Sequence, residues 1–385
     1  MKIGIDIRTL MDAQWSGVSE YTYNIVKGLL KLDTGNHYKL FYNSAHDVSE
    51  RIPHHLFSKV NGGENVEIIK TKYPNKLFNF IMQKGLRLPK VDKLLGVDAF
   101  FMPNIGFISL SARCKKILTI HDLSFLRYPE FFNLKRRLWH WAVNVKKMIR
   151  EFDTIIAVSE STKKDVVELC NIDPEKVKVI YSGISDQFRI IHRDQYSQAI
   201  KIKLKLPDKF ILCLSTLEPR KNIKSLIMAY NLFREKNKDL DDIKLVIAGP
   251  RGWGVKKIKL EHERSKYKDD IIFLNYVKNE DKVYVYNLAE IFVFPSFYEG
   301  FGFPPLEAAK CGLPVIAGQA SSFPEILGDG AMLIDSYNIR SLAEIMAIVL
   351  KKRDFYKELV SRGEIKAKGY SWDKTAQSLL DALKL

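Results

Sequence analysis

The chain has 385 residues, of which 46% are hydrophobic and 28% charged, so wholesale disorder is excluded and two domains of ordinary size are expected. Its four cysteines (Cys114, Cys170, Cys213 and Cys311) lie far apart, which excludes a disulfide scaffold and a CxxC metal site. The net charge of +16 is concentrated in residues 51–150, where 19 Lys or Arg accompany 6 Asp or Glu. This excess indicates an anionic partner, either nucleic acid or an anionic lipid surface, or else a set of solvated surface lysines.

The first residues, Met1 to Asp6, have the pattern of a β-strand and lack the features of a signal peptide. No apolar run reaches the ~20 residues that a membrane-spanning helix needs. The sequence therefore predicts a cytoplasmic protein, with peripheral binding to the inner face of the cytoplasmic membrane as a further possibility for its basic part.

Short apolar runs alternate with helical patterns along the whole chain, and many runs consist of Val, Ile, Leu and Phe without interruption. Such runs are typical of parallel strands buried on both faces. The strands predicted in the first half are Lys2–Ile7, Tyr38–Tyr42, Val66–Lys70, Ala99–Met102, Ile117–Ile120, Thr154–Val158 and Val177–Tyr181. Those predicted in the second half are Phe210–Ser215, Lys244–Ala248, Ile271–Leu274, Ile291–Phe294, Val315–Ala317 and Met332–Ile334. The helical segments between them indicate βαβ units, and hence an α/β fold with doubly wound sheets.

This alternation is interrupted once, over residues 187–206, which contain no clear buried strand. We interpret the interruption as a linker between a first domain over residues 1–186 and a second over residues 207–370. Two tandem α/β domains are expected to face each other across a cleft at the carboxyl ends of their strands. Residues 371–385 form a separate final segment, predicted to be helical.

The most informative stretch is residues 294–314, FPSFYEGFGFPPLEAAKCGLP, where a predicted strand is followed by a glycine-containing loop and a helix. Glycines let the backbone approach a ligand, and a helix N-terminus favours an anion. We therefore expect the backbone of Phe301, Gly302 and Phe303 to bind a diphosphate. Glu299 and Glu307 flank this site, and because like charges repel, their carboxylates suit sugar hydroxyls rather than phosphates.

A second candidate group lies in residues 215–222, STLEPRKN, directly after another predicted strand. Arg220 and Lys221 follow the carboxyl end of that strand, and Asn222 is expected to cap the next helix. Two cations there can balance a diphosphate leaving group, most strongly in the transition state, when its negative charge grows. The alternative is a solvated basic turn.

Taken in chain order, these segments and several others resemble the retaining glycosyltransferases of family 4. The matching motifs are residues 16–21 (SGVSEY), 120–122 (IHD), 158–161 (VSES), 215–222 (STLEPRKN), 248–250 (AGP), 298–307 (YEGFGFPPLE) and 370–372 (YSW). The resemblance extends over nearly the whole chain and implies a GT-B fold. In that family the C-terminal domain binds a nucleotide sugar, the N-terminal domain binds the acceptor, and the last helix crosses back to the N-terminal domain.

The resemblance also implies roles for single residues. His121 would line the pocket of the donor sugar, and Gly17 would bring a backbone N–H close to the donor phosphate or the acceptor. The backbone near Val277 would hold the nucleotide base. Glu299 would bind the hydroxyls of the donor sugar and Glu307 those of the ribose.

The sequence departs from the family pattern in two places. Many members have an arginine five residues before the lysine of the second motif, where this chain has Thr216. The family often has glycine at the positions of Ser16 and Ser19, where hydroxyl groups can form hydrogen bonds instead. These departures affect the detail of the two loops and leave the predicted fold unchanged.

The sequence thus predicts a retaining hexosyltransferase that uses a nucleotide-sugar donor, with GDP-mannose as the first guess, and neither a cofactor nor a metal. The STLEPRKN variant resembles bacterial mannosyl- and rhamnosyltransferases, so the predicted acceptor is a lipid-linked sugar or glycan of surface-polysaccharide synthesis. One alternative is a GT-B synthase with a soluble sugar acceptor. The other is a nucleic-acid-binding protein, which the absence of an RRM, KH or helix-turn-helix signature disfavours.

Two stretches, residues 133–150 and 72–93, mix basic with large apolar residues. In the first, apolar positions from Leu134 to Ile149 recur at helical spacing, which predicts an amphipathic helix. Its tryptophans among lysines and arginines suit an interfacial helix on an anionic membrane. A helix packed on the core with a solvated basic side would show the same pattern.

Overall fold

The computed structural model describes residues 1–57, 65–84, 88–192 and 197–384, which divide into two compact units. The first unit contains residues 1–127, 134–183 and 371–385, and the second contains residues 128–133 and 184–370. Residues 193–196 of the predicted linker and residues 85–87 of the basic stretch 72–93 lie outside the described residues. The linker bounds therefore stay a prediction, and in its described part the linker carries a helix, Ser197–Leu204.

Each unit has one sheet, and each predicted strand is present with ends that shift by no more than two residues. The strands are β1 (Lys2–Asp6), β2 (His37–Asn43), β3 (Val66–Thr71), β4 (Ala99–Met102), β5 (Lys115–Ile120), β6 (Thr154–Ala157), β7 (Val177–Val179), β8 (Phe210–Leu214), β9 (Lys244–Ala248), β10 (Ile271–Leu274), β11 (Ile291–Phe294), β12 (Val315–Gly318) and β13 (Met332–Ile334). The spatial order is β3-β2-β1-β4-β5-β6-β7 in the first sheet and β10-β9-β8-β11-β12-β13 in the second. All pairings between these strands are parallel.

Helices connect the strands, as parallel pairing requires. They are α1 (Gly17–Leu32), α2 (His54–Phe57), α3 (Asn75–Lys84), α4 (Val91–Leu95), α5 (Ser124–Arg127), α6 (Leu134–Val143), α7 (Val145–Arg150), α8 (Glu160–Cys170), α9 (Ser197–Leu204), α10 (Ile223–Lys236), α11 (Val255–Arg264), α12 (Asn279–Leu288), α13 (Phe303–Lys310), α14 (Phe323–Leu327), α15 (Ile339–Lys351), α16 (Arg353–Lys368) and α17 (Trp372–Lys384). Because helices cover both faces of each sheet, central strands such as β4 and β8 are buried throughout.

The final helix, α17, belongs to the first unit although the chain reaches it from the second, which confirms the predicted crossover. It packs along α1, where Gly28 leaves room for Ala376. Gly183 makes a similar close approach, since a Cβ there would lie 2.2 Å from the Trp372 nitrogen. Thr375 adds a hydrogen bond from its hydroxyl to the Tyr181 carbonyl at 2.9 Å.

The strand order reverses once in each sheet, and this reversal positions the candidate sites. β1 lies between β2 and β4 in the first sheet, and β8 lies between β9 and β11 in the second. At such a point the two following loops diverge to opposite faces, which opens a crevice at the carboxyl ends of the strands. The segments after β8 and β11 carry the two motifs singled out from the sequence.

The basic stretch 133–150 is not one helix, contrary to the prediction. Asn144 adopts a left-handed conformation with φ 49°, which ends α6, and its side chain accepts a hydrogen bond from the Lys147 N–H to begin α7. The apolar stripe divides at this break: Val145 and Ile149 are buried, whereas Leu134 is exposed. The core-packed interpretation is therefore right for α7, and α6 presents apolar side chains to solvent.

Candidate active site

The loops after β8 and β11 are joined by hydrogen bonds at the reversal of the second sheet. The Phe297 N–H donates to the Arg220 carbonyl at 2.9 Å, and the Ser296 Oγ lies 3.1 Å from the same oxygen. The sheet order thus brings together the two motifs that the sequence places almost 80 residues apart.

A buried carboxylate lies at the centre of this junction. The Lys221 Nζ is 2.6 Å from Oε1 of Glu299, and Arg220 Nη1 is 2.9 Å from its Oε2. The Ser296 hydroxyl donates a further hydrogen bond to Oε1 at 2.7 Å. Three of the predicted site residues, Glu299, Lys221 and Arg220, therefore form one charged cluster with Ser296.

The cluster keeps Glu299 ionised. Burial alone would raise the pKa of this carboxyl, but the charges of Arg220 and Lys221 and the donated hydrogen bonds hold it below its usual value. Because the pKa of Glu299 is lower in the folded protein, its ionised carboxylate stabilises the fold at neutral pH. This contribution to the free energy of unfolding is lost as the pH falls through the folded-state pKa.

The guanidinium of Arg220 is held on several sides. Its Nε and Nη2 donate to Oε1 of Glu218 at 3.2 and 3.0 Å, and Nη1 also donates to the Tyr298 carbonyl at 2.8 Å. Two carboxylates therefore share this cation, while among the described residues the Lys221 ammonium forms an ion pair with Glu299 alone. Lys221 is consequently the cation whose charge is more available to a ligand.

The glycine turn after Glu299 has a conformation that requires glycine. Gly302 has φ +95°, and a Cβ there would lie 2.5 Å from Cε1 of Phe323. Ser321 accepts a hydrogen bond from the Glu299 N–H at 2.8 Å, and the Ser322 hydroxyl donates to the Glu299 carbonyl at 3.0 Å. These hydrogen bonds fix the turn to the segment that follows β12.

Helix α13 begins at Phe303 and continues with Pro304 and Pro305. Proline carries no N–H, so these two positions offer no donor to an anion. The donors predicted for a diphosphate must therefore come from the turn itself, residues 301–303. Their role stays a prediction.

Glu307 lies one turn into α13 and is buried against α12. The Tyr286 hydroxyl donates to its Oε2 at 2.8 Å, and the Lys282 Nζ is 3.8 Å from its Oε1. Burial, together with the charge of Glu307, raises the pKa of Tyr286 well above its usual value, so this hydroxyl stays protonated and donates. The predicted contact of Glu307 with ribose hydroxyls would use the remaining lone pairs of this carboxylate.

Val277 and Asn222 border the same end of the second sheet. Val277 is buried in the segment between β10 and α12, where its backbone was predicted to hold the base. Asn222 precedes α10, but the prediction of a side-chain cap is wrong. It has a left-handed φ of 55°, and its amide donates to the Ser336 carbonyl at 2.7 Å instead.

The two remaining predicted residues, His121 and Gly17, lie in the first unit. His121 follows β5, and burial lowers its pKa, so the ring is neutral. Its Nε2 is 2.8 Å from the Pro103 carbonyl. Because a carbonyl can only accept, Nε2 carries the proton of the neutral ring, and Nδ1 is left as an acceptor suited to a hydroxyl. Gly17 is the first residue of the 16-residue helix α1, which Ser16 and Ser19 cap reciprocally.

Several supporting residues were not predicted. Glu218 and Ser296 fix the charged cluster, yet in the sequence they are an ordinary loop acid and hydroxyl. Residues 128–133 pack on the second unit, where Phe131 stacks on Phe297 at 5.5 Å and accepts a hydrogen bond at its carbonyl from the Trp253 indole at 2.5 Å. The aromatic pattern of this segment, YPEFFN, was the available signal.

Comparison with known families covers both units. Residues 15–188 match the family described as Glycosyltransferase Family 4, and residues 194–366 match the one described as Glycosyl transferases group 1. The chain belongs to glycosyltransferase family 4. This membership confirms the resemblance read from the motifs of both halves.

Among curated relatives, the chain is 30% identical to the serotype-specific mannosyltransferase WbdA of Escherichia coli. That match covers 69% of this chain and 33% of WbdA, so the chain spans about a third of the length of the first curated relatives it matches. It is also 29% identical to the O-antigen chain mannosyltransferase B of Escherichia coli, over 70% of each chain.

Solved structures share the fold. Sucrose-phosphate synthase from Thermosynechococcus elongatus superposes with a TM-score of 0.75 at 17% identity, over 100% of this chain and 98% of that one. Anabaena HepE in complex with UDP-glucose gives 0.72 at 18% identity, over 100% and 99%. These likenesses concern the fold, and they confirm the predicted GT-B class of this family 4 member.

Proposed function

We propose that this protein is a retaining glycosyltransferase that moves mannose from a nucleotide sugar to a lipid-linked or glycan acceptor in surface-polysaccharide synthesis. The first candidate for the donor is GDP-mannose. The observation that carries the proposal is the buried cluster of Glu299, Lys221 and Arg220 beside the Gly302 turn, at the strand-order reversal where α/β sheets bind ligands. The relatives named as mannosyltransferases support the choice of sugar.

The chemistry follows from the charges of the cluster. Lys221, with Arg220 behind it, stabilises the diphosphate while the bond from its oxygen to the sugar C1 breaks. The acceptor hydroxyl oxygen bonds to C1 on the same face, and its proton passes to the departing diphosphate. Glu299 orients the sugar hydroxyls, and the cations neutralise the leaving group so that no metal is required.

A thermal-shift screen of GDP, UDP and dTDP and their sugars tests the donor site. A nucleotide at about 100 times its dissociation constant should stabilise the protein by about 2.7 kcal/mol. We expect GDP and GDP-mannose to give the largest shifts. Equal melting temperatures with and without each of these nucleotides would remove the proposal.

We further propose that α6 docks on an anionic membrane from the cytoplasmic side. None of the described helices is long and apolar enough to cross a membrane. Leu134, Leu138 and Trp141 of α6 are 63–73% exposed, beside Lys135 and Arg137. An exposed apolar stripe bordered by lysine and arginine suits the interface of an anionic bilayer.

Reversing two charges tests this surface. Because each basic residue near an anionic bilayer contributes about 1 kcal/mol, the Lys135→Glu, Arg137→Glu variant should bind anionic vesicles on the order of 30-fold more weakly. Co-sedimentation with vesicles measures the binding, which should also weaken at high salt. The matched control is Lys256→Glu, Lys257→Glu in α11 of the second unit. An equal loss of vesicle binding in both double variants would contradict docking through α6. Equal binding of the wild type to neutral and anionic vesicles would contradict it as well.

A further inference from the structure

A short segment from the first half of the chain belongs to the second unit. Residues 128–133, YPEFFN, lie between α5 and α6, and both of these helices belong to the first unit. The chain therefore leaves the first unit for six residues and then returns to it. Within the segment, residues Pro129–Phe131 form a single 3₁₀ turn. We call residues 128–133 the YPEFFN segment, and its contacts show what this excursion does.

The YPEFFN segment packs on the loop that follows β11. Phe131 stacks on Phe297 with 5.5 Å between ring centroids and an interplanar angle of 10°. Tyr128 lies edge-to-face on Tyr298 with 5.7 Å between centroids. Two rings of the segment therefore hold two successive residues of this loop.

Phe297 and Tyr298 link these ring contacts to the charged cluster. The Phe297 N–H donates to the Arg220 carbonyl at 2.9 Å, and the Tyr298 carbonyl accepts from Arg220 Nη1 at 2.8 Å. The next residue is Glu299, whose Oε2 accepts from the same Nη1 at 2.9 Å. A displacement of the two aromatic residues would therefore move the guanidinium and the carboxylate with them.

The YPEFFN segment also contacts the loop that follows β9. The Trp253 indole N–H donates to the Phe131 carbonyl at 2.5 Å, and its ring stacks on Phe132 at 5.6 Å. This loop is packed in turn on the loop after β8. The Gly252 N–H donates to the Leu217 carbonyl at 3.1 Å, and a Cβ added to Gly252 would lie 2.7 Å from that oxygen.

The sheet order gives these contacts their significance. Because β8 lies between β9 and β11, the segment is attached to the loops on both sides of the one that carries Arg220 and Lys221. Stacked rings supply neither a charge nor a strong hydrogen bond to a ligand, so their effect on the site is positional. Position matters here, since a displacement of about 1 Å can slow a reaction on the order of 100-fold.

We propose that Phe131 is a positioning residue of the transferase, which acts through Phe297 to hold the Glu299 carboxylate in place for the donor sugar. This role rests on the proposed donor site and adds to it a residue from the first half of the chain. The donor site of the second unit is then complete only with the YPEFFN segment.

Initial rates of transfer to methyl α-D-mannopyranoside, from the nucleotide sugar that gives the largest thermal shift, test this role. Phe131→Ala removes the ring and keeps the carbonyl that Trp253 contacts. It should lower kcat about ten-fold, the size of one strong aromatic contact. The dissociation constant of the nucleoside diphosphate should stay within about two-fold of the wild type, because Lys221 and the glycine turn are unchanged.

Further variants separate positioning from a general loss of stability. Phe131→Tyr keeps the ring and should restore kcat, and Phe131→Leu replaces the alanine variant if that variant unfolds. Because Phe131 acts through Phe297, adding Phe131→Ala to Phe297→Ala should not lower kcat further. Phe355→Ala, which removes a partly buried phenylalanine from the core of the same unit, is the matched control. It should lower the melting temperature and leave kcat unchanged.

Three results would overturn the role of Phe131. The first is a kcat equal to that of the wild type in folded Phe131→Ala and Phe131→Leu variants. The second is a double variant in which the losses of Phe131→Ala and Phe297→Ala simply add. The third is an equal loss of kcat in the Phe355→Ala control.

Hydrogen–deuterium exchange separates the role of Phe131 from the proposed function. The amides of residues 296–299 should exchange faster in Phe131→Ala than in the wild type, and at the wild-type rate in Phe355→Ala. Unchanged exchange in Phe131→Ala, in a protein that nucleotides stabilise, would overturn the role of Phe131 alone. Faster exchange in a protein that no nucleotide stabilises and that transfers no sugar would remove the proposed function, and the catalytic role of Phe131 with it.

Discussion

Replacing Glu299 by alanine is expected to slow sugar transfer by ~10²-fold or more, a loss of about 2.7 kcal/mol of transition-state stabilisation. Nucleoside diphosphate binding should be retained or strengthened in the same variant. The reason is that this carboxylate neutralises Lys221 and Arg220 in the free protein, and its removal leaves both charges to the diphosphate. Initial rates and calorimetric titration measure the two quantities.

The same substitution should lower stability, because removing one partner of a buried ion pair typically costs about 3 kcal/mol. Glu299→Gln keeps the shape of the side chain, and it replaces the alanine variant in the activity assay if that variant unfolds. Glu263→Ala, an exposed glutamate on α11, is the control for lost charge and should behave as wild type. Near-normal turnover in folded Glu299→Gln and Glu299→Ala variants would rule out the role of this carboxylate.

Replacing Lys221 by alanine should weaken nucleoside diphosphate binding and transfer together. A hydrogen bond to a charged group contributes about 1.5–3 kcal/mol, so the expected loss of affinity is roughly 10- to 100-fold. The ammonium acts on the diphosphate in both the ground state and the transition state, which is why both quantities fall. Titration of the nucleotide selected by the screen measures the affinity.

Lys224→Ala provides the matched control for Lys221→Ala. Lys224 lies at the start of α10, three residues further along. Its contact with Glu261 is long, at 3.8 Å, and its own side chain is 54% exposed. Its loss should leave the affinity unchanged. Equal affinities in Lys221→Ala and the wild type would mean that the lysine only balances Glu299.

The strands were predictable because their burial on two faces leaves a continuous apolar signal in the sequence. Ala99–Met102 and Lys244–Ala248 have the predicted ends unchanged. Helix ends were harder to predict, because a residue other than glycine can adopt the left-handed conformation that ends or begins a helix. Asn144 and Asn222 both do so, which divided one predicted helix and removed one predicted cap.

The candidate site was predictable where a motif contains its own chemistry. Glu299 and Lys221 were proposed from separate loops, and the sheet order brings them into one ion pair. Glu218 and Ser296 were missed because their contacts, two residues away with Arg220 and three residues away with Glu299, belong to a site only once the two loops are joined. Tyr286 was missed because it contacts Glu307 across 21 residues.

The most direct measurement is ¹H NMR of GDP-α-D-mannose incubated with the protein and methyl α-D-mannopyranoside. The proposed function predicts that GDP and a new α-linked disaccharide appear in equal amounts, with the configuration at C1 retained. It also predicts that Glu299→Ala abolishes this signal under the same conditions. A β-linked product, or an unchanged donor with GDP-, UDP- and dTDP-sugars alike, would contradict the account.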